Sequence, residues 1–171
     1  GSDIIENNLR SLWLIATTLI VFGVILGLAD TYGKRERTLD QLSNRHGIMY
    51  GLAQALALMP GVSRSGATIA MGRFLGYKRE AALRYSFLLA LPAVFGSGFY
   101  QLQGAISSTE SNVFSLAETA VATGIAFVVG YLVIAWLLKF VSTKSFMPFI
   151  IYRIALGMLL LILLGTGVIS A

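Results

Sequence analysis

Long uncharged stretches of the chain are separated by short polar segments, most of them basic. Ser11 to Ala29 is an uncharged run of 19 residues between Arg10 and Asp30. As a helix it is long enough to cross a hydrocarbon core of about 30 Å. Tyr85 to Thr109 carries no charge over 25 residues. Gly96, Gly98 and Gly104 predict that its helix ends near Gln101, and Pro92 predicts a kink or a local gap in the backbone ladder. A third run covers about Glu118 to Leu138 and stops at Lys139, and Pro148 opens a fourth that reaches about Gly165 with Arg153 inside it. The pattern predicts an all-α polytopic membrane protein forming a single membrane domain over residues 1–171. Its transmembrane helices are expected over 11–29, 82–103, 117–139 and 147–166.

Residues 47–76 break this pattern. The segment from Leu56 to Gly72 reads LALMPGVSRSGATIAMG, and Arg64 is its only charge. A charge set so deep in apolar sequence is costly, which points to function. Pro60 and Gly61 stop a helix that starts near Gly47, and Gly66 with the helix formers after it lets a second one begin. At about 1.5 Å per residue the limbs reach only about 20 Å and about 15 Å, too short to span. A re-entrant hairpin is predicted, its tip lining a protein-enclosed or watery cavity.

Such a tip suits phosphate. The second limb would aim unpaired N–H groups and the positive end of its dipole into the cavity, and Arg64 can grip phosphate oxygens through two nitrogens. Ser63, Ser65 and Thr68 add neutral donors, with Ser65 also placed to cap the second limb, and Gly61 and Gly66 allow close backbone approach. The competing reading is a packing turn whose arginine snorkels or pairs with a distant carboxylate.

Composition narrows the class. The chain is 56% hydrophobic and only 12% charged, with a mean hydropathy of +0.77, values that place it in a membrane. The absence of cysteine excludes thiolate chemistry and thiolate metal sites. The net charge of +5 falls mainly in short loops, so it reflects membrane topology rather than nucleic-acid binding. The loops holding Lys34 to Arg45, Lys78 to Arg79 and Lys139 to Lys144 fall on one face, which the positive-inside rule makes cytoplasmic. The single histidine, His46, lies in the first of these loops and titrates in the physiological range. Arg73 and Arg153 are expected to snorkel to the headgroups. Gly23 and Gly27 offer a small-residue face for helix packing.

PGVSRSGATI, with Gln54 upstream and LGYKREAALRYSFLLALPAVFGSG downstream, closely resembles the second signature region of the bacterial undecaprenyl pyrophosphate phosphatase family. SFMPFIIYRIALG and the helix from Leu12 to Leu28 extend the resemblance over essentially the whole chain. It implies hydrolysis of undecaprenyl diphosphate to the monophosphate in the bacterial plasma membrane, which recycles the carrier lipid for peptidoglycan synthesis and gives bacitracin resistance. On the family's motif, Arg64, Ser63 and Thr68 correspond to catalytic positions. Ser65, Gly61, Gly66, Gln54, Ser86 and Arg153 would contact substrate, Arg153 as a cavity-facing alternative to snorkelling. The family also has a glutamate-rich first signature followed by a Pro-Ser-Ser-Thr-Gly-His-like segment on an inverted-repeat hairpin, and this sequence contains neither. It is therefore expected to be the C-terminal part of such an enzyme. A divalent cation, Mg2+ or Ca2+, is implied by the family. The eight acidic residues lie in loops, at termini or at span ends, so no ligands for the ion can be read here. The expectation is a half-site that binds phosphate without turnover. The alternatives are an anionic-lipid or phosphate transporter or channel, and a structural half that assembles with a complementary half or as a homodimer.

Overall fold

The computed structural model describes residues 12–107 and 116–169. Among them are six α-helices: α1 (Leu12–Tyr32), α2 (Asn44–Leu56), α3 (Arg64–Phe74), α4 (Arg79–Ser107), α5 (Leu116–Thr143) and α6 (Met147–Gly165). The one extended pairing among the described residues is an isolated bridge between Arg37 and Tyr77. Four helices, α1, α4, α5 and α6, are long and apolar enough to cross a membrane. The chain is an all-α multi-pass membrane protein.

α4 does not end near Gln101. It runs through Pro92 to Ser107, because an apolar medium offers freed backbone groups no water and helix is the conformation that pairs the rest. α1 crosses α6 on small residues. A Cβ at Gly23 would lie 2.9 Å from Ile154 Cγ1, and one at Gly157 would lie 2.9 Å from the Ala16 carbonyl. Close approach of this kind supplies van der Waals packing where no hydrophobic drive operates between helices. Leu26, Ile69, Leu83, Val141 and Ile150 form the core where α1, α3, α4, α5 and α6 meet.

α2 and α3 fold back on each other as a hairpin, with the Tyr50 hydroxyl against Gly72. Tyr50 also packs edge-on to Tyr85 at 4.7 Å between ring centroids. α3 begins at Arg64 rather than near Ala67, because Ser63 caps it by accepting from the Gly66 N–H at 3.3 Å.

Arg73 does not snorkel: it is fully buried. Its Nη1 donates to the carbonyls of Lys34 and Tyr77, and its Nη2 to those of Asp30 and Gly33. Several of these are carbonyls at or just beyond a helix C-terminus, where the backbone lacks donors and a cation is favoured. Its counter-ion is Asp30, 3.3 Å from Arg73 Nε. Asp30 also accepts from Arg79 Nε at 2.6 Å and Nη2 at 2.9 Å, and from the Phe146 N–H at 3.3 Å. One carboxylate thus ties together the end of α1, the base of the hairpin, the start of α4 and the approach to α6. The three basic loops gather at this end of the molecule.

His46 sits in the first turn of α2, not in the loop. Tyr77 Oη donates to the Gln41 carbonyl at 3.2 Å and lies 2.8 Å from His46 Nδ1, while Arg37 Nη1 lies 3.2 Å from Nε2. Arginine can only donate, so Nε2 must carry the lone pair and Nδ1 the proton. Partial burial, with Arg37 and then Arg45 nearby, holds the imidazolium below its ordinary range near 6.5. A depressed pKa means the folded state favours neutral imidazole, so the contribution is present above about pH 6.5 and is lost as pH falls through the folded value. Nitrogen NMR of this sole histidine should show the Nδ1–H tautomer and a midpoint below that of a free imidazole. A midpoint at or above 6.5 would contradict the network.

Candidate phosphate site

The hairpin tip packs against α1 far from the basic loops. The Thr18 hydroxyl reaches the Pro60 carbonyl at 2.7 Å, and Thr18 is about 18 Å along α1 from Asp30 at 1.5 Å per residue. Arg153, 8% exposed and so also not snorkelling, donates from Nη2 to the carbonyls of Gly61 and Val62, each at 2.9 Å. These tip carbonyls would otherwise be orphaned in an apolar interior, which is what holds the guanidinium inward. The Met59 carbonyl accepts from the Val62 N–H and the Ser63 carbonyl from the Ala67 N–H. Every carbonyl from Met59 to Ser63 is therefore occupied.

The donors on the other side of the turn are not. The N–H groups of Arg64 and Ser65, the first two of α3, have no partner among the described residues. The Arg64 side chain is exposed and makes no hydrogen bond or ion pair among them. With acceptors sequestered and donors open at a helix N-terminus, the tip is suited to an anion. Ser63 holds this arrangement at φ 64°, a conformation that costs a non-glycine residue about 1–3 kcal/mol.

Beneath the tip is a cavity of about 280 Å³. Ser63, Ser65, Gly66 and Arg153 form its polar end, and Phe87, Leu137 and Phe149 wall its apolar end. Arg153 Nε is buried without a partner.

The sequence-predicted residues divide into groups. Ser63, Ser65, Gly66 and Arg153 meet at the cavity, and Arg64 adjoins them in the chain with its side chain exposed and outside the lining. Thr68 and Ser86 are buried and bonded to each other, with Thr68 also on the Arg64 carbonyl. They join α3 to α4 and do not line the cavity. Gln54 stays on α2 with a buried, unpartnered Oε1 and does not line it either. Gly61, at φ 85°, serves close approach to α1, since a Cβ there would lie 2.7 Å from the Ile15 carbonyl. Gly66 makes room for Arg153, whose Nη1 would stand 2.6 Å from a Cβ at that position. Sequence reasoning passed over Thr18 and the aromatic wall. A threonine inside an apolar helix is the signal for the first; the second carries none, because aromatic residues recur throughout such helices. Among the described residues no three His, Cys, Asp or Glu side chains converge on a possible metal site.

A Ser63→Gly variant should keep or slightly raise thermal stability, since glycine accepts this φ and costs only a few tenths of a kcal/mol as an N-cap. It should weaken diphosphate binding several-fold by removing the hydroxyl. A marked fall in melting temperature would mean that the hydroxyl, not the surrounding contacts, holds the turn.

A family model described as bacitracin resistance protein BacA matches residues 1–159. Undecaprenyl-diphosphatases of Pseudarthrobacter chlorophenolicus and Paenarthrobacter aurescens are each 62% identical over 170 residues, covering 99% of this chain and 61% of the relative. Undecaprenyl-diphosphatase 2 of Agrobacterium fabrum is 61% identical over 169 residues, covering 99% of this chain and 60% of the relative. The chain spans about 60% of the length of these curated relatives.

Proposed function

The chain belongs to the bacitracin resistance protein BacA family, and from that premise we propose that it carries the phosphate-binding hairpin of an undecaprenyl diphosphate phosphatase of the bacterial plasma membrane. The whole enzyme hydrolyses undecaprenyl diphosphate to undecaprenyl phosphate and phosphate, which returns the carrier lipid to peptidoglycan synthesis and underlies bacitracin resistance. This chain is its C-terminal portion. The hairpin enters from the cytoplasmic face and presents its tip to a cavity at depth.

One observation carries the reading: the carbonyls of the tip are all occupied while the N–H groups of Arg64 and Ser65 stand open beside a free guanidinium. Charge growing on a transferring phosphoryl group is stabilised by donors fixed in advance, and these need little reorganisation. Arg64 grips two phosphate oxygens, and the Ser65 hydroxyl and the two N–H groups orient the remainder. The Ser63 hydroxyl caps α3 and adds a donor. Arg153 positions the tip from behind and adds its positive charge beside the same anion. Thr68 and Ser86 fix α3 against α4, so their part in catalysis is to hold the helix whose end binds substrate.

The described residues do not fit a divalent cation. The carboxylates for Mg2+ or Ca2+, the nucleophile and the general acid or base come from the further length that the relatives have. The chain alone therefore binds the lipid diphosphate without turning it over. Purified chain should bind undecaprenyl diphosphate and release no phosphate with or without Mg2+ or Ca2+. Turnover that disappears in Arg64→Ala would keep the phosphatase and overturn the half-site, and absence of binding would overturn the hairpin's role.

A further inference from the structure

We propose that the cavity beneath the tip is the seat of the first two or so isoprenoid units of the substrate, and that Leu137 sets its depth. This deepens the phosphatase reading and rests on it. The diphosphate end is fixed by two independent features. One is the open N-terminus of α3, and the other is Arg153, more than nine-tenths buried, with an unpartnered Nε and a side chain that lines the cavity. A lipid phosphate held there must send its first carbons somewhere. Continuous with the Ser63 and Ser65 hydroxyls and the Gly66 backbone is a wall of Phe87, Leu137 and Phe149.

Size limits what the cavity can read. Allowing roughly 30 Å³ for each carbon with its hydrogens, about the share of a water molecule in the liquid, a five-carbon unit needs about 150 Å³, so 280 Å³ takes about two. Beyond them the chain passes into the bilayer, where lipid tails are as apolar as the protein surface and contact adds little selectivity. The site thus reads a diphosphate and the head-proximal units and is indifferent to the rest of the chain. Leu137 on α5 is half-buried and packs on the core. It faces the cavity from the helix most loosely joined to the rest, so its side chain is the simplest to enlarge without disturbing α3.

The test measures binding of inorganic diphosphate, dimethylallyl diphosphate, geranyl diphosphate and farnesyl diphosphate to the purified chain in detergent. Wild type should bind geranyl diphosphate at least about tenfold more tightly than inorganic diphosphate, a difference of about 1.4 kcal/mol. Farnesyl diphosphate should gain less than about threefold more. Leu137→Trp should erase the geranyl advantage while leaving inorganic diphosphate unchanged, which also reports that the tip is still folded. Leu137→Ala should move the plateau toward the longer farnesyl compound. Affinity that climbs steadily with chain length in wild type, or a geranyl advantage untouched by both substitutions, would overturn the cavity's role with phosphate binding intact. If wild type bound none of the four, the phosphate-binding reading itself would fall and this inference with it.

Discussion

Arg64→Ala should weaken binding of inorganic diphosphate by about a hundredfold while leaving the melting temperature within a degree or two of wild type. The two parts of the expectation come from different facts. The guanidinium is exposed and bonded to nothing among the described residues, so its removal costs the fold nothing that the structure displays. The anion, however, loses a charge-assisted bidentate partner, about twice as strong as a neutral hydrogen bond. Arg64→Lys should recover only part of the loss, since an ammonium is a point charge without the planar fork. Isothermal titration beside a thermal melt in the same detergent separates the two effects. Equal binding by Arg64→Ala would return the tip to the status of a packing turn.

Asp30→Asn should have the opposite profile, with a large loss of stability. Asp30 is the counter-ion of Arg73, which has no solvent exposure, and the bidentate partner of Arg79. Removing the charge leaves one buried guanidinium facing only carbonyls and another without its fork partner. Breaking a buried pair from one side costs about 3–5 kcal/mol. Since the same carboxylate receives the Phe146 N–H, the approach to α6 loosens as well, and Arg153 rides on α6. Thermal unfolding in detergent should show a large drop, and the double variant Asp30→Asn with Arg73→Met should be more stable than Asp30→Asn alone. A drop equivalent to less than about 1 kcal/mol would mean that water reaches the cluster and screens it.

The parts of this molecule legible in the sequence are those written in local pattern. Uncharged runs marked the spans, and Pro60-Gly61 with a lone arginine marked the tip. The residues misjudged are those whose meaning lies in a distant partner. Arg73 and Arg153 look like arginines near span ends, and snorkelling is the ordinary outcome there. Each turned inward because backbone carbonyls of another segment lacked donors, Arg153 meeting a turn 91 and 92 residues away in sequence. Asp30 read as a boundary because its charge ends an apolar run, whereas its partners Arg73 and Arg79 lie across the hairpin. Thr68 and Ser86, 18 residues apart, are bonded to each other, a pairing that no local pattern announces. Ser63 was legible as a donor but not as the cap, because a serine at positive φ has no signature distinguishing it from Ser65 two positions on.

The central claim is that open N–H groups at the start of α3 receive phosphate. Its most direct test is a titration of nitrogen-15-labelled chain with inorganic diphosphate, followed at the amides of the tip. The Arg64 and Ser65 signals should move downfield and saturate together. Those of Gly66 and Ala67, already bonded to the Ser63 hydroxyl and carbonyl, should move far less. Saturable shifts confined to the basic loop around Lys34 to Arg45, with Arg64 and Ser65 unmoved, would contradict the account.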